Sequence, residues 1–426
     1  MNDRSTKGSL AVVFLTVFID LLGFGMVLPL LPIYADHFVE DPSGWRLGTL
    51  MASFSAMQLV FSPFWGRLSD RIGRRPVLMI GLAGSVVFYT LFGVATVMQS
   101  YGLLLLSRIG AGIAGATIST AQAYIADSTS LQERPRGMAL IGMAFGLGFT
   151  FGPLFGFLAV PYEDAPPGPW PGYAAAILSA VALTLAVFLL PESLRPNSET
   201  VHRRLFDTAG FQRALSTPSI GVLLLAIFVC VFSFANFETT LSLLIKGADR
   251  LPERGHDAPT GPFNFSWGQV CLTYAYIGAT LALVQGGVVR RMARRTSEGA
   301  LAATGAALET AGFALMITAV AWESVPLLLT ALAVVVAGFS FMQPMLNSLL
   351  SRRSDPNQQG IILGVGQSVN SLARIFGSAV GIPLLRHGLQ TPYYTATSLM
   401  ALGLVLVIFA ARSGQDYPQH EPAPTP

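Results

Sequence analysis

Five ionisable residues lie inside long apolar stretches of this 426-residue chain: Asp20, Arg108, Glu238, Glu309 and Arg374. An isolated charge in hydrocarbon costs several kcal/mol, so each residue is expected to face a partner or a water-filled cavity. A buried carboxylate beside a guanidinium group can exchange its cationic partner for a proton. These residues are therefore candidates for coupling proton movement to a conformational change.

Two acid–base pairs follow from the positions of these residues. Asp20 and Arg108 are expected at similar depth in the first half of the chain, where a pair is feasible. The alternative to proton coupling there is a permanent buried salt bridge. Glu238 is a second candidate for binding a proton or a cation, and a structural pair with Arg374 is the competing interpretation.

Polar residues also recur on helical faces. Arg108, Ser119 and Gln122 fall on one face of the fourth apolar stretch. This pattern favours a cavity wall over helix packing, because polar side chains in a dry interface would need partners. Together with polar and aromatic residues on other spans, Ser119 and Gln122 form a predicted binding site for an amphipathic organic substrate. The residues of this site are Gln58, Ser119, Gln122, Phe145, Asn236, Tyr276, Gln343, Asn347, Gln367 and Asn370.

The composition excludes most soluble proteins, because 52% of the residues are hydrophobic and only 12% are charged, against about a quarter charged in soluble domains. Apolar runs of about 20 residues can cross the hydrocarbon of a bilayer. Twelve such runs predict an all-α integral membrane protein with twelve transmembrane helices, numbered below as spans 1 to 12. They lie near 10–34, 46–66, 76–98, 101–126, 138–160, 171–191, 218–245, 266–289, 299–321, 325–350, 361–385 and 393–412.

A long polar interruption divides the spans six and six. The predicted units are an N-terminal six-helix bundle at 1–191, a cytoplasmic linker at 192–217, a C-terminal six-helix bundle at 218–412 and a disordered cytoplasmic tail at 413–426. Most lysines and arginines fall on the side that holds both termini, which predicts cytoplasmic termini in a cell membrane. We expect a multi-pass monomer surrounded by lipid.

Other classes of protein are not supported by the sequence. A net charge of +3 gives no reason to expect a nucleic-acid partner. The two cysteines lack the spacing of a metal site, and no zinc-protease, nucleophile-elbow or Walker A motif occurs. We therefore expect neither an enzyme nor a bound cofactor, with a proton gradient as the source of energy.

Two glycine-containing patterns are candidates for conformational change. The segment Gly66–Arg75 follows span 2, and a similar segment, Gly286–Arg295, follows span 8, which indicates an internal repeat. Two parallel six-span halves with a site at the midplane are common among secondary transporters. In span 5, small residues every four positions form a stripe that suits either sliding or simple tight packing. The residues of this stripe are Gly148, Gly152 and Gly156, with Pro153 beside them.

Several patterns in this chain resemble the major facilitator superfamily, and within it the tetracycline and multidrug proton antiporters. The resemblance covers essentially the whole chain and implies two pseudo-symmetric bundles. The patterns are Gly66-x-x-x-Asp70-Arg71-x-Gly73-Arg74-Arg75 after span 2, Arg108-x-x-x-Gly112 in span 4, Gly148-x-x-x-Gly152-Pro153-x-x-Gly156 in span 5 and Asp20-x-x-Gly23-x-Gly25-x-x-x-Pro29-x-x-Pro32 in span 1.

The resemblance also implies roles for individual residues. Asp70 would hold the neighbouring bundle in the outward-facing state, pairing with Arg134 or Arg136 or capping a helix, unless the arginines around it only set topology. This contact of Asp70 with the neighbouring bundle, called the latch below, is expected only in the first half, because Arg290 replaces the acidic position after span 8. Glu309 is a weaker candidate, since span 9 of this family usually supports the cavity from outside.

The leading prediction is a proton-coupled efflux antiporter for small organic compounds, working by alternating access. Asp20 and Glu238 would carry protons, and the polar faces would bind the substrate. The first alternative is a symporter or uniporter of the same fold for a polar metabolite. The second is a membrane receptor or scaffold that does not transport.

Overall fold

The computed structural model describes residues 3–129, 134–160, 168–194, 218–246, 262–293, 295–354 and 359–413. These ranges are almost entirely helical and contain no strand. Ten of their helices are long and apolar enough to cross a membrane, and a bent pair at the N-terminus makes eleven. The predicted all-α membrane fold is confirmed. The predicted linker 192–217 and tail 413–426 lie almost entirely outside the described residues.

The remaining predicted span, span 5, coincides with the helix Arg134–Ala159. All twelve spans are therefore represented by helices. Their bounds, in order, are Asp3–Val27 with Leu31–Phe38, Trp45–Ile72, Arg74–Val97, Tyr101–Gly115 with Ile118–Ser128, Arg134–Ala159, Trp170–Leu189, Pro218–Lys246, Trp267–Leu283 extended to Met292, Glu298–Ala321, Val325–Arg352, Gln359–His387 and Thr391–Ser413.

Some spans are interrupted where the sequence weakens a helix. Span 1 bends by 43° before the short helix Leu31–Phe38, next to Pro29, which lacks the backbone N–H that a continuous helix needs. Span 8 contains a π-helical turn, Val284–Val289, that includes two adjacent glycines. Such turns put local irregularity into an otherwise regular helix.

The internal repeat is visible in the backbone of equivalent turns. Gln99, between spans 3 and 4, has a φ of 49°, and Glu323, between spans 9 and 10, has a φ of 51°. In each turn the N–H of the next residue, Ser100 or Ser324, donates to a carbonyl in the last turn of the preceding helix. Both turns are left-handed helix caps of the same type.

Packing between the helices follows the same repeat. In the first half, span 1 packs against spans 5 and 6, span 3 against spans 4 and 6, and span 2 against span 4. In the second half the corresponding spans, six later, pack in the same way. The halves meet where span 2 contacts span 11 and span 5 contacts span 8. Because these two contacts are equivalent, the halves are related by a pseudo-two-fold arrangement.

Among the described residues, the two halves are closely packed at one end only. We call the end with the Gly66–Arg75 loop the basic end. At the opposite end, a Cβ atom on Gly44 would lie 2.8 Å from the backbone of Ile382 in span 11. Toward the basic end, a Cβ atom on Gly66 of span 2 or on Gly364 of span 11 would meet nothing within 4 Å. The halves therefore diverge toward the basic end.

Candidate functional site

The carboxyl group of Asp20 turns toward spans 3 and 6. Ser179 of span 6 donates a hydrogen bond to Asp20 Oδ1 at 3.1 Å, and Ser85 of span 3 also hydrogen-bonds to the side chain. No ion pair with Arg108 forms in this conformation. The feasible pair between Asp20 and Arg108 is thus replaced by hydrogen bonds from two hydroxyl groups.

Arg108 is almost completely buried, with 3% of its surface exposed. Its Nε and Nη1 atoms have no hydrogen-bond partner among the described residues. The guanidinium carbon lies 4.5 Å from the ring centre of Phe54 and 5.8 Å from that of Phe24. Attraction between a cation and an aromatic ring offsets part of the cost of burying this charge. A buried cation with free donors is poised to accept an anionic partner.

Tyr89 links the surroundings of these two residues. Its side chain on span 3 is buried and lies near both Asp20 and Arg108. Neither Tyr89 nor Ser85 is among the site residues predicted from the sequence. They lie four positions apart on one face of span 3, and that polar spacing within an apolar helix is the signal that could have found them.

In the second half, Glu238 and Arg374 form an ion pair. Arg374 Nη2 donates to Glu238 Oε2 at 2.6 Å. The two side chains are 20% and 36% exposed, respectively, so the pair borders open space. The hydroxyl of Tyr274 donates to the backbone carbonyl of Glu238 at 3.4 Å. The ion pair with Arg374, which was the alternative to Glu238 as a free proton-binding site, therefore forms in this conformation.

Four of the predicted substrate residues lie on spans 10 and 11. Gln343 Nε2 donates to Asn370 Oδ1 at 2.9 Å, which joins the two spans. Asn347 and Gln367 are exposed. These two side chains remain free to contact a bound molecule.

Two other predicted substrate residues point elsewhere. Asn236 is completely buried, and its Nδ2 donates to the carbonyl of Pro392 in span 12 at 3.0 Å. The hydroxyl of Tyr276 donates to the carbonyl of Leu329 in span 10 at 3.2 Å. Residues two apart on a helix are separated by about 200°, so Tyr274 reaches Glu238 and Tyr276 does not.

The predicted residues of the first half mostly connect helices. Gln58 Nε2 donates to the carbonyl of Gly115 at 3.5 Å, and Ser119 Oγ donates to the carbonyl of Ser62 at 3.4 Å. Both bonds join span 2 to span 4. Gln122 is exposed, whereas the side chain of Phe145 lies outside the described residues.

Glu309 is the most deeply buried of the five ionisable residues, with 0% exposure. Neither of its carboxyl oxygens has a hydrogen-bond partner in the described structure. It packs against span 10, where a Cβ atom on Gly338 would lie 2.6 Å from Glu309 Cγ. An ionised carboxylate without a partner is costly to bury. Glu309 therefore belongs among the candidate proton sites, although its position in span 9 made it the weaker candidate in the sequence.

At the basic end, the loop after span 2 is bound within the first half. Arg74 Nη1 lies 2.5 Å from Asp70 Oδ1, and Arg74 Nε lies 2.9 Å from Asp127 Oδ2 at the end of span 4. Asp70 thus pairs with an arginine of its own motif. Arg134 and Arg136, the partners expected from the sequence, have side chains outside the described residues.

Glu192 completes this cluster from the end of span 6. Its carboxylate accepts hydrogen bonds from the backbone N–H groups of Arg74, at 2.9 Å, and Arg75, at 3.1 Å. These groups begin span 3, where a negative charge is favourable. Gly73 has a φ of 106° and packs directly against the Glu192 carboxylate, so a side chain there would strain the backbone and displace that carboxylate. Arg71 is exposed.

The glycine stripe of span 5 packs closely on span 1. A Cβ atom on Gly152 would lie 2.8 Å from Gly25, and one on Gly148 would lie 2.8 Å from Leu21. Gly156 is at the interface of the halves, because a Cβ atom added there would lie 3.5 Å from the sulfur of Cys271 in span 8. Pro153 lies within the same helix. The stripe therefore connects span 1 to the contact between the two halves.

Known proteins resemble this chain in both sequence and architecture. The tetracycline resistance protein of class C from Escherichia coli is 30% identical over 410 residues, which cover 95% of this chain and 94% of that protein. Multidrug resistance protein 1 of Bacillus subtilis is 28% identical over 403 residues, with 94% and 95% covered. The crystal structure of the human organic anion transporter MFSD10 (TETRAN) matches with a TM-score of 0.68 and 27% identity, over 96% of this chain and 100% of that one.

A family model also matches most of the chain. Residues 13–378 fit the model of the Major Facilitator Superfamily, and this match includes the loop after span 2 and both acid–arginine regions. The family resemblance inferred from the motifs is confirmed, and the protein is a multi-pass membrane transporter of small molecules rather than an enzyme. The chain belongs to the Major Facilitator Superfamily.

Proposed function

We propose that this protein is a proton-driven efflux antiporter for small organic compounds. The observation that carries the proposal is the arrangement around Tyr89, where Asp20 binds only hydroxyl groups while the nearby Arg108 lacks an anionic partner. This is the arrangement expected when the carboxyl group holds a proton. The tetracycline and multidrug resistance proteins among the relatives support export as the direction of transport.

Proton release from Asp20 would change the balance of forces within the first half. An ionised Asp20 attracts Arg108, and the pair would form by rotation of span 1 or span 4 past Tyr89. Span 1 is packed tightly on the glycine stripe of span 5, and span 5 contacts span 8 of the other half. A movement that begins at Asp20 is therefore transmitted to the interface of the halves.

Glu238 and Arg374 are proposed as the exchangeable pair in the second half. Their partial exposure allows a proton or a cationic group of the substrate to compete with Arg374 for the carboxylate. The exposed Asn347 and Gln367 would contact polar groups of the same molecule. Glu309 is a further carboxyl group that can take up a proton without a counter-ion.

We also propose that the basic end faces the cytoplasm of a monomer in the cell membrane, following the positive-inside rule. The conformation described here then opens inward, because the halves diverge toward that end. The cluster of Asp70, Arg74 and Asp127 is satisfied inside the first half in this state. It would engage the second half when the basic end closes.

Transport by purified protein in liposomes with an imposed pH gradient tests this function. We expect tetracycline, used as the probe because of the relatives, to accumulate in the more acidic compartment, against the flow of protons. Fluorescent cationic dyes extend the test if tetracycline is not carried. Movement of the transported compound together with protons, or transport unaffected by the gradient, would contradict antiport.

A second candidate function is transport of an organic anion by symport or uniport. The buried Arg108 with two unpartnered nitrogens favours this alternative, and MFSD10 is an organic anion transporter. An anion bound to Arg108 would travel with a proton on Asp20 rather than against it. The direction of the proton flux in the same liposomes separates the two functions.

A further inference from the structure

Equivalent loops in the two halves differ in how their charge is balanced. After span 2, Arg74 is bound by Asp70 and Asp127, and Glu192 accepts from the backbone that follows. After span 8, the position equivalent to Asp70 is occupied by Arg290, and Arg291 follows it. The second loop thus gains a positive charge where the first has a negative one.

The arginines after span 8 are not balanced by the described part of the chain. Arg290, Arg291 and Arg295 are exposed, and no described acidic side chain lies within 4 Å of them. Arg294 lies outside the described residues. The next acid in the sequence, Glu298, is already engaged, since it accepts from Ser348 at 2.7 Å and lies 3.5 Å from Arg352.

An apolar surface adjoins these arginines. Leu283 is 73% exposed, Val288 46% and Met292 37%. Between them, the π-helical turn Val284–Val289 presents bare backbone, because a Cβ atom on either of its two glycines would meet nothing within 4 Å. A cationic strip therefore lies directly beside an exposed apolar strip, at the end of span 8.

We propose that this surface, residues 283–293 together with Arg295, binds the headgroup of an anionic phospholipid in the leaflet at the basic end. The guanidinium groups of Arg290, Arg291 and Arg295 suit phosphate oxygens, which they can bind in pairs. The exposed apolar residues would contact the acyl chains of the same lipid. A soluble phosphate offers only the first of these interactions, so the juxtaposition favours a lipid. The proposal does not depend on which compound is transported.

Native mass spectrometry of the full-length protein tests this site. The protein is released from mixed micelles that contain equal amounts of phosphatidylglycerol and phosphatidylcholine with identical acyl chains. Each interfacial arginine changes the affinity for anionic lipid by on the order of fivefold. We expect wild-type protein to retain phosphatidylglycerol preferentially, and the double variant Arg290→Gln/Arg291→Gln to lose about 25-fold of that preference.

The matched control is Arg46→Gln/Arg412→Gln, which also removes two exposed arginines but leaves the loop after span 8 intact. It should keep the wild-type preference, and the unfolding temperatures of both variants show that they are folded. An equal loss of lipid preference in both double variants would mean that anionic lipid is attracted diffusely by the net charge of the protein, and it would overturn the proposed site. So would a wild-type protein without lipid preference, or displacement of the lipid by glycerol phosphate at matched concentration.

Discussion

Ser179 donates a hydrogen bond to Asp20 at 3.1 Å, and the carboxyl group of span 1 is bound by hydroxyl groups rather than by Arg108. The acid and the base are therefore separate in a conformation whose halves diverge at the basic end. If they pair in the other conformation, the proton on Asp20 and the closure of the cavity become linked equilibria. This relationship between Ser179 and Asp20 is the basis of the proposed coupling.

Close packing of spans 1 and 5 predicts a position-specific effect of adding one methyl group. Gly152→Ala should destabilise the protein by about 1–3 kcal/mol, because the new Cβ atom would overlap the backbone of Gly25. Gly146→Ala is the matched control on the same helix, where a Cβ atom meets nothing within 4 Å. It should leave stability unchanged or raise it by up to about 1 kcal/mol. Thermal unfolding in detergent measures both, and equal effects would contradict the described packing.

The ion pair in the second half predicts non-additive effects. Glu238→Gln and Arg374→Gln should each destabilise the protein, and the double variant should be less destabilised than the sum by about 1 kcal/mol. The energy is modest because both side chains are partly exposed. Denaturation of the four proteins measures the coupling. Strictly additive effects would show that the two groups do not interact.

The cluster at the basic end predicts a shift between conformations. Asp127→Asn removes one of the two carboxylates that hold Arg74 and should change how readily the cavity opens at each end. A cysteine introduced at Gly66, where a side chain meets nothing within 4 Å, reports access from the basic end through its rate of alkylation. Glu323→Gln, at an exposed turn of the opposite end, is the control. Identical rates in wild type and Asp127→Asn would exclude a latch that involves this residue.

Hydropathy alone predicts most of the fold, because a twenty-residue apolar run has few alternatives to crossing the membrane. The positions of charged residues in the loops likewise reveal the repeat. Side-chain partners are harder to predict, since they depend on how each helix is rotated about its axis. Asn236 and Tyr276 illustrate this limit, because a rotation of one residue decides whether a polar group faces the cavity or a neighbouring helix.

Glu309 shows a second limit of the sequence. Its span has an apolar character similar to that of its neighbours, and nothing in its local sequence indicates that both carboxyl oxygens lack a partner. That property depends on the helices that surround it, including the close approach of Gly338 in span 10. The sequence therefore favours Asp20 as the proton-binding acid, whereas the most deeply buried acid is Glu309.

A neutral replacement of Asp20 tests the central claim most directly. Asn has nearly the shape of a protonated aspartic acid and can still accept the hydrogen bond from Ser179, so Asp20→Asn should fold normally. Counterflow of unlabelled and labelled substrate in liposomes, without a pH gradient, should persist, whereas uphill transport driven by the gradient should fall to the level of empty liposomes. Uphill transport by Asp20→Asn at the wild-type rate would contradict the account.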